Sequence, residues 1–249
     1  MILGICGRKE HGKDTFADIL MAAAPGYERL AFARRLKDMC VAVFGLSEAQ
    51  VSDKMGKETP LPEPVMLDSL LYQMREWSRL AGIREHGLVA KTPRQILQFV
   101  GTEYIREADP NYWVDWVADR LARLGPSGDA VITDVRFPNE ADMIRHAGGK
   151  VLRVLRLAKE MEGAAAPEHP SEALDFKPDY TIALTEGDFS LPRIVCGAVR
   201  KGALDDALKA FDWDWLVYSA PMARAYYHDI WNQMCEVLAQ QLDPKAEKA

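Results

Sequence analysis

Cysteine is scarce, with four among 249 residues. Cys6, Cys40, Cys196 and Cys235 are widely separated, with no Cys-x-x-Cys pair and no Cys/His cluster, which excludes the common zinc spacings and a secreted disulfide framework. They are expected to be reduced, small, buried apolar side chains. No stretch approaches the ~18 uninterrupted apolar residues of a membrane span. Met1 runs straight into a strand-like segment, without a basic region and a long apolar one, so the expected location is the cytoplasm. An excess of positive charge is also lacking. Thirty-one Lys and Arg against 37 Asp and Glu give a net charge of −6, the wrong sign for a chain that grips a nucleic-acid backbone. Neither a nucleic-acid nor a membrane partner is expected, while a local basic pocket for a small anion is compatible with this balance.

What is present, 48% apolar and 27% charged residues, suits a globular chain of one or two domains. At this length about 70% of the unfolded chain's surface can be buried, so no disulfide or metal is needed to make a core.

Ile2-Leu3-Gly4-Ile5-Cys6 is a short apolar run of the kind that forms a buried parallel strand. Glycines follow at once, and from Asp14 to about Ala22 the residues Phe16, Ile19 and Leu20 fall at helical spacing until Pro25-Gly26. Tyr27 to Ala33 predicts a second strand, and Leu36, Met39, Cys40, Val43 and Phe44 mark one face of a second helix. The section from Gly45 to Leu124 reads as almost wholly helical. Within it Met66, Leu70, Met74 and Trp77 form an apolar stripe after a charged, proline-containing loop over 52–64. Thr92-Pro93-Arg94-Gln95 and Asp109-Pro110 are helix starts, each with a capping residue ahead of proline.

Ala130 to Thr133 predicts a third strand, Pro138 to Ala147 a helix stopped by Gly148-Gly149, and Val151 to Leu157 and Tyr180 to Leu184 two more strands. Strands alternating with helices imply an α/β fold: a five-stranded parallel sheet with helices on both faces and the helical block inserted between strands. Beyond Thr185 the alternation ends. Tyr227, Ile230, Met234, Val237 and Leu238 predict one amphipathic helix, and the six residues from Pro244 are expected to be disordered.

Gly7-Arg8-Lys9-Glu10-His11-Gly12-Lys13 fits the Gly-x4-Gly-Lys core of a phosphate-binding loop, and it lies between a strand and a helix as that loop must. Glycines let the backbone turn its N–H groups onto phosphate oxygens, the helix N-terminus adds a favourable dipole, and Lys13 reaches the β- and γ-phosphates. The expected ligand is ATP, held by Gly7, Arg8, Gly12, Lys13, Asp14 and Thr15. The usual pattern follows Lys with a Ser or Thr that ligates Mg²⁺, whereas here Asp14 follows and Thr15 comes next. A carboxylate is an equally hard oxygen ligand. Asp14 is thus either a metal ligand or an acid favoured by the helix dipole.

Ile132-Thr133-Asp134-Val135-Arg136-Phe137-Pro138-Asn139-Glu140 places Asp134 and Arg136 just beyond the carboxyl end of a strand, where open parallel sheets bind ligands. Asp134 there suits Mg²⁺ and Arg136 a phosphate fork, unless the two form a structural ion pair. Lys13, Asp134 and Arg136 are the expected catalytic residues, and Asp14 and Asp134 the expected metal ligands.

With these motifs the sequence resembles the bacteriophage-type deoxynucleoside monophosphate kinases of the P-loop superfamily. The resemblance is carried by Gly7 to Thr15, Phe32-Ala33 with Leu36-Lys37, Lys57 to Glu63, Thr92 to Gln95, Gly101-Thr102-Glu103, Arg106, Trp113, Val131 to Ala141 and His169-Pro170-Ser171-Glu172. It implies a kinase core over 1–185, with a helical monophosphate-binding insertion over 45–125 and a lid over 158–174. The mainly helical extension over 186–249 has no counterpart. The implied reaction is ATP-dependent phosphorylation of a deoxynucleoside monophosphate to its diphosphate, for DNA precursor synthesis. The implied substrate-binding residues are Phe32, Arg34, Lys37, Arg94, Arg106, Arg136, Glu140, His169 and Glu172. Arg136 is expected against the acceptor phosphate.

The nucleophile is a phosphate oxygen already ionised near neutral pH, so positioning and charge neutralisation suffice. His169 is then either a lid or phosphate contact or an ordinary loop histidine. Arg94 and Arg106 lie twelve apart and need not share a helical face. The remaining alternatives are a kinase of the dephospho-coenzyme A or phosphomevalonate type, since a phosphate loop names the donor and not the acceptor, and a non-catalytic nucleotide-binding or assembly protein. A homodimer through the C-terminal tail is a further expectation.

Overall fold

The apolar run at the start of the chain becomes the middle strand of a parallel sheet in a computed structural model that describes residues 1–23, 25–67, 89–125, 128–156, 169 and 172–184. The chain divides into two compact units, one comprising Met1–Leu30 with Leu124–Ala249 and the other Ala31–Arg123.

In the first unit, β1 (Ile2–Cys6), β2 (Glu28–Leu30), β5 (Ala130–Val135), β6 (Lys150–Arg156) and β7 (Tyr180–Leu184) are ordered β2-β5-β1-β6-β7. Every pairing is parallel. The five strands and their parallel sense are those the sequence predicts. Side chains alternate between the two faces. On one face Leu3 and Ile5 pack with Val131, Leu152, Val154 and Ile182 against Phe16, Ala17 and Leu20 of α1 (Lys13–Ala23). Fully burying an apolar side chain of this size contributes about 1.5–3 kcal/mol. Gly4 is turned to the other face, where a Cβ would meet Ile144 Cδ1 at 2.6 Å, so only glycine lets α7 (Pro138–His146) pack so closely. Helices thus cover both faces. The left-handed Gly148, at φ 79°, ends α7 where the glycine pair predicts.

The second unit holds α2 (Ala33–Phe44), α3 (Glu48–Ser52), α4 (Lys54–Glu58), β3 (Val65–Met66), β4 (Val89–Ala90), α5 (Pro93–Gln98), a π-helical segment (Phe99–Arg106) and α6 (Tyr112–Leu124), whose last residue falls in the first unit. It departs from the sequence reading in three places. The 52–64 segment, expected as loop, contains α4, and Met66, expected on a helical stripe, is a half-exposed residue of an antiparallel β3–β4 pair. The second strand ends at Leu30 instead of Ala33 because Ala33 already starts α2. Leu70, Met74 and Trp77 lie outside the described residues, as do nearly all of the expected lid and the whole 186–249 extension with its dimer expectation. The capping box at Thr92 forms as predicted, with Gln95 N–H donating to Thr92 Oγ1 at 3.4 Å and Thr92 N–H donating to Gln95 Oε1 at 3.2 Å.

Candidate active site

Glycine conformation builds the loop between β1 and α1. Gly7 has φ 148°, and a Cβ there would lie 2.3 Å from the carbonyl oxygen of Val154. Gly12 has φ 90° and Glu10, between them, takes φ 67°. The loop closes with His11 N–H donating to the Arg8 carbonyl at 3.4 Å, and Phe16 N–H donating to the Gly12 carbonyl at 2.9 Å opens α1.

Lys13 Nζ donates to the Arg8 carbonyl oxygen at 2.7 Å, which folds the side chain back over the loop. Burial, and after it the positive charge of Arg136, lowers the Lys13 pKa to about 8, against the opposing pull of Asp14, Cys6 and Asp134. Such charge effects weaken with distance, so the loop lysine and the residues ending β5 belong to one electrostatic cluster. Strand register explains it: β1 pairs with β5 at Cys6 and Val135, and both segments leave the sheet at its carboxyl edge.

Arg136 is set by the start of α7. Glu140, 1% exposed, accepts through Oε2 from the N–H of Arg136 at 2.7 Å and of Phe137 at 3.1 Å. The carboxylate expected at the substrate is therefore engaged with backbone. Asp134 is half-buried at the strand end. The Asp14 side chain is 81% exposed in the first turn of α1, 3.5 Å from Arg29, which also pairs with Asp18. Thr15 is exposed beside it.

His11 carries a signal that periodicity did not reveal. A polar residue in a glycine loop reads as exposed, yet His11 is buried and its Nδ1 accepts from the backbone N–H of Arg156 at 3.3 Å, tying the loop to the end of β6. Cys6 is also buried, which raises its thiol pKa to about 12, and Cys40 of the second unit is shifted equally by the same cause. Neither serves as a nucleophile at neutral pH. Cys196 and Cys235 lie outside the described residues.

In the second unit Phe32, expected at the substrate, is 3% exposed. Arg34 is exposed and pairs with Asp38 at 2.9 Å, and Lys37 is half-buried. Arg35, which sequence reasoning left without a role, donates from Nε to the Tyr112 hydroxyl at 2.7 Å, with its guanidinium 5.3 Å from that ring's centroid. Arg94 donates from Nε to Glu58 at 2.6 Å, and Arg106 donates from one terminal amino group to the Pro110 carbonyl at 3.4 Å. In the first unit, His169 and Glu172 are half-buried and joined by a backbone hydrogen bond of 2.9 Å.

No protein-family profile matches the chain. A protein of Acanthamoeba polyphaga mimivirus assigned as a deoxynucleotide monophosphate kinase is 30% identical over 186 residues, an alignment taking in 69% of this chain and 80% of that protein. The chain belongs to the deoxynucleoside monophosphate kinase family. The deoxynucleoside-5'-monophosphate kinase of Escherichia phage T5 is 25% identical over 211 residues, covering 70% of this chain and 84% of its own length.

The phosphate loop on a parallel sheet is the P-loop kinase architecture that this deoxynucleoside monophosphate kinase family requires. Its ligand chemistry fits as well. The positive φ of Gly7 and Gly12 gives the tight turn that lets loop N–H groups face an anion, and the bare Cα of Gly7 packs against the Val154 carbonyl of β6. Among the described residues no group of three or more His, Cys, Asp and Glu side chains converges to cage a metal. Also among the described residues, no helix is long and apolar enough to cross a membrane.

Proposed function

We propose that this chain transfers the γ-phosphoryl group of ATP to a deoxynucleoside monophosphate, with Lys13, Asp134 and Arg136 at the point of transfer. The observation that carries this reading is the parallel pairing of β1 with β5 at Cys6 and Val135, from which the glycine loop with Lys13 and the Asp134–Arg136 motif leave the sheet side by side at its carboxyl edge. The names of the two relatives support a deoxynucleotide acceptor over coenzyme A or mevalonate precursors.

An acceptor phosphate oxygen forms the new bond to the γ-phosphorus while the bond from that phosphorus to the β–γ bridging oxygen breaks and ADP leaves. The loop N–H groups hold the donor phosphates. Lys13 neutralises charge on the β- and γ-oxygens, and its partly desolvated ammonium is a stronger electrostatic partner than a hydrated one. Arg136 stabilises the group in transit, because its charge is close to that of Lys13. Asp134, with Asp14, would hold Mg²⁺, which when bound adds positive charge at the phosphate oxygens. In the second unit, Arg94 serves the acceptor nucleotide.

The test is ADP release from ATP and Mg²⁺ in the presence of each of the four deoxynucleoside monophosphates, with dephospho-coenzyme A and phosphomevalonate as competing acceptors. ADP formation that depends on a deoxynucleotide and is abolished in Lys13→Met supports the reading. Release with no deoxynucleotide, or only with another acceptor, overturns it.

A further inference from the structure

We infer that His11 is a positioning residue for phosphoryl transfer: its ring pins the donor loop to the carboxyl end of β6 and so sets the loop N–H groups that receive the phosphates of ATP. The inference rests on the donor reading above and deepens it.

The loop holds a conformation that its own residues do not favour. Glu10, which carries a Cβ, stands in the left-handed region at φ 67° between Gly7 at φ 148° and Gly12 at φ 90°. A non-glycine residue stays there only where its surroundings over-determine the backbone. Contacts from Lys13 Nζ and from the His11 N–H both end on the Arg8 carbonyl. They are made within the loop and cannot fix it to the sheet.

The His11 ring does so. β1 ends at Cys6, opposite Arg153 of β6. The Val154 carbonyl lies against Gly7, at the exit of β1, and backbone groups of alternate strand residues face the same side. The Arg156 N–H therefore points to where β1 would have continued, and a buried N–H without an acceptor is strongly unfavourable. His11 Nδ1 accepts it at 3.3 Å. Buried at 5% exposure, the ring takes the place of the missing strand. The next residue, Gly12, is seated against the ends of β7 and β6, where a Cβ would lie 3.4 Å from Leu184 Cδ1 and 3.9 Å from Arg156 Nη2. Lys13 and α1 follow directly, so the ring bond fixes the point from which the lysine reaches and the helix N–H groups project.

An accepting Nδ1 carries no proton, which places the hydrogen of the neutral imidazole on Nε2. A side chain with an acceptor at the position of Nδ1 can therefore replace histidine, and an apolar one cannot. Asparagine is of the first kind, because its Oδ1 stands as many bonds from the backbone as Nδ1. Leucine is of the second, and the glutamine amide stands one bond too far out.

The experiment compares wild type, His11→Asn, His11→Leu and His11→Gln by calorimetric binding of ATP and by NMR-detected hydrogen exchange of the Arg156 amide. His11→Leu and His11→Gln should weaken ATP binding and speed that exchange, each at least ~10-fold, while His11→Asn stays within ~3-fold of wild type in both. A ring that merely fills space would rank leucine above asparagine. Nitrogen NMR of the wild-type imidazole should show Nδ1 unprotonated and Nε2 protonated. The opposite tautomer, wild-type ATP affinity in His11→Leu, or no rescue by asparagine overturns the inference. Should His11→Leu fail to fold, His11→Gln and the tautomer decide. If the wild type binds no ATP, the donor reading has failed, and inorganic triphosphate becomes the probe. The same ranking of variants for triphosphate then supports the pin, and equal binding by all of them, or binding by none, overturns it.

Discussion

Lys13 and Arg136, on two neighbouring segments of the sheet's carboxyl edge, carry like charges that act on each other, and this repulsion adds to burial in lowering the lysine pKa to about 8. The carboxylates of Asp14 and Asp134 offset part of that repulsion. On the proposed reading, the oxygens of a bound triphosphate would offset more of it.

Nucleotide binding should therefore take up a proton above pH 8. In the free protein Lys13 loses its charge as pH rises through about 8, below its ordinary 10.5, while bound phosphate favours the charged form. ATP affinity should be about tenfold weaker at pH 9 than at pH 7, and calorimetry in buffers of different ionisation enthalpy should count the proton. The stability sign is opposite. Without nucleotide the unfolded chain binds more protons between the two values, so stability gains with pH in that window. An affinity flat from pH 7 to 9 would show that Lys13 keeps an ordinary pKa.

Gly7→Ala should destabilise the fold and abolish ATP binding. Its φ of 148° is unfavourable for any side chain, and the new methyl would lie 2.3 Å from a backbone oxygen of β6, an atom that cannot swing aside. A loss of about 2–4 kcal/mol is expected in denaturant unfolding. Gly26→Ala is the control, since nothing lies within 4 Å of its added Cβ. Equal stability of the two variants would refute the tight-turn account.

The same sequence logic that located Gly7 made the sheet legible. Ile2–Cys6 and Tyr180–Leu184 are short apolar runs bounded by polar or turn residues, and continuous burial leaves no other reading for them. Other features carry no periodic signal. Val65–Met66 and Val89–Ala90 are two-residue strands, too short for alternation to register. The π-helical segment has the apolar content of any helix, and a hydrogen bond from Trp113 to Gly101, twelve residues away, leaves no mark in the sequence pattern. Glu140 was legible as important, while spacing gives no sign that one of its carboxylate oxygens accepts from the N–H groups at its own helix start. His11 was hidden because its burial is imposed by β6, which follows it by well over a hundred residues.

Tyr104→Phe should stabilise the protein. The hydroxyl is buried and makes no hydrogen bond among the described residues, while the ring stacks on Phe99 with centroids 6.2 Å apart and 13° between planes. Phenylalanine keeps the stack and removes an unsatisfied polar group, a gain of about 1 kcal/mol and ~3 °C in Tm. A fall in Tm of similar size would mean that the hydroxyl has a partner in the folded protein.

Arg136→Lys tests the catalytic assignment with little risk to the fold. The N–H of Arg136 donates to Glu140 at the start of α7, and lysine retains that backbone contact. Lysine also keeps the charge. What it loses is the planar fork that engages two phosphate oxygens at once, and an ammonium is a more strongly hydrated point charge. If Arg136 stabilises the phosphoryl group in transit, kcat should fall about tenfold or more, equivalent to ~1.4 kcal/mol of transition-state stabilisation, with directly measured ATP and deoxynucleotide affinities within ~3-fold of wild type. Arg136→Ala should be slower still. It should also return the Lys13 pKa toward 10.5, since the second-largest cause of its depression is gone, and the pH dependence of ATP binding should flatten accordingly. A collapse of ATP affinity with kcat preserved would make Arg136 a donor-binding residue, and an unchanged Lys13 titration would show that the two charges are not coupled.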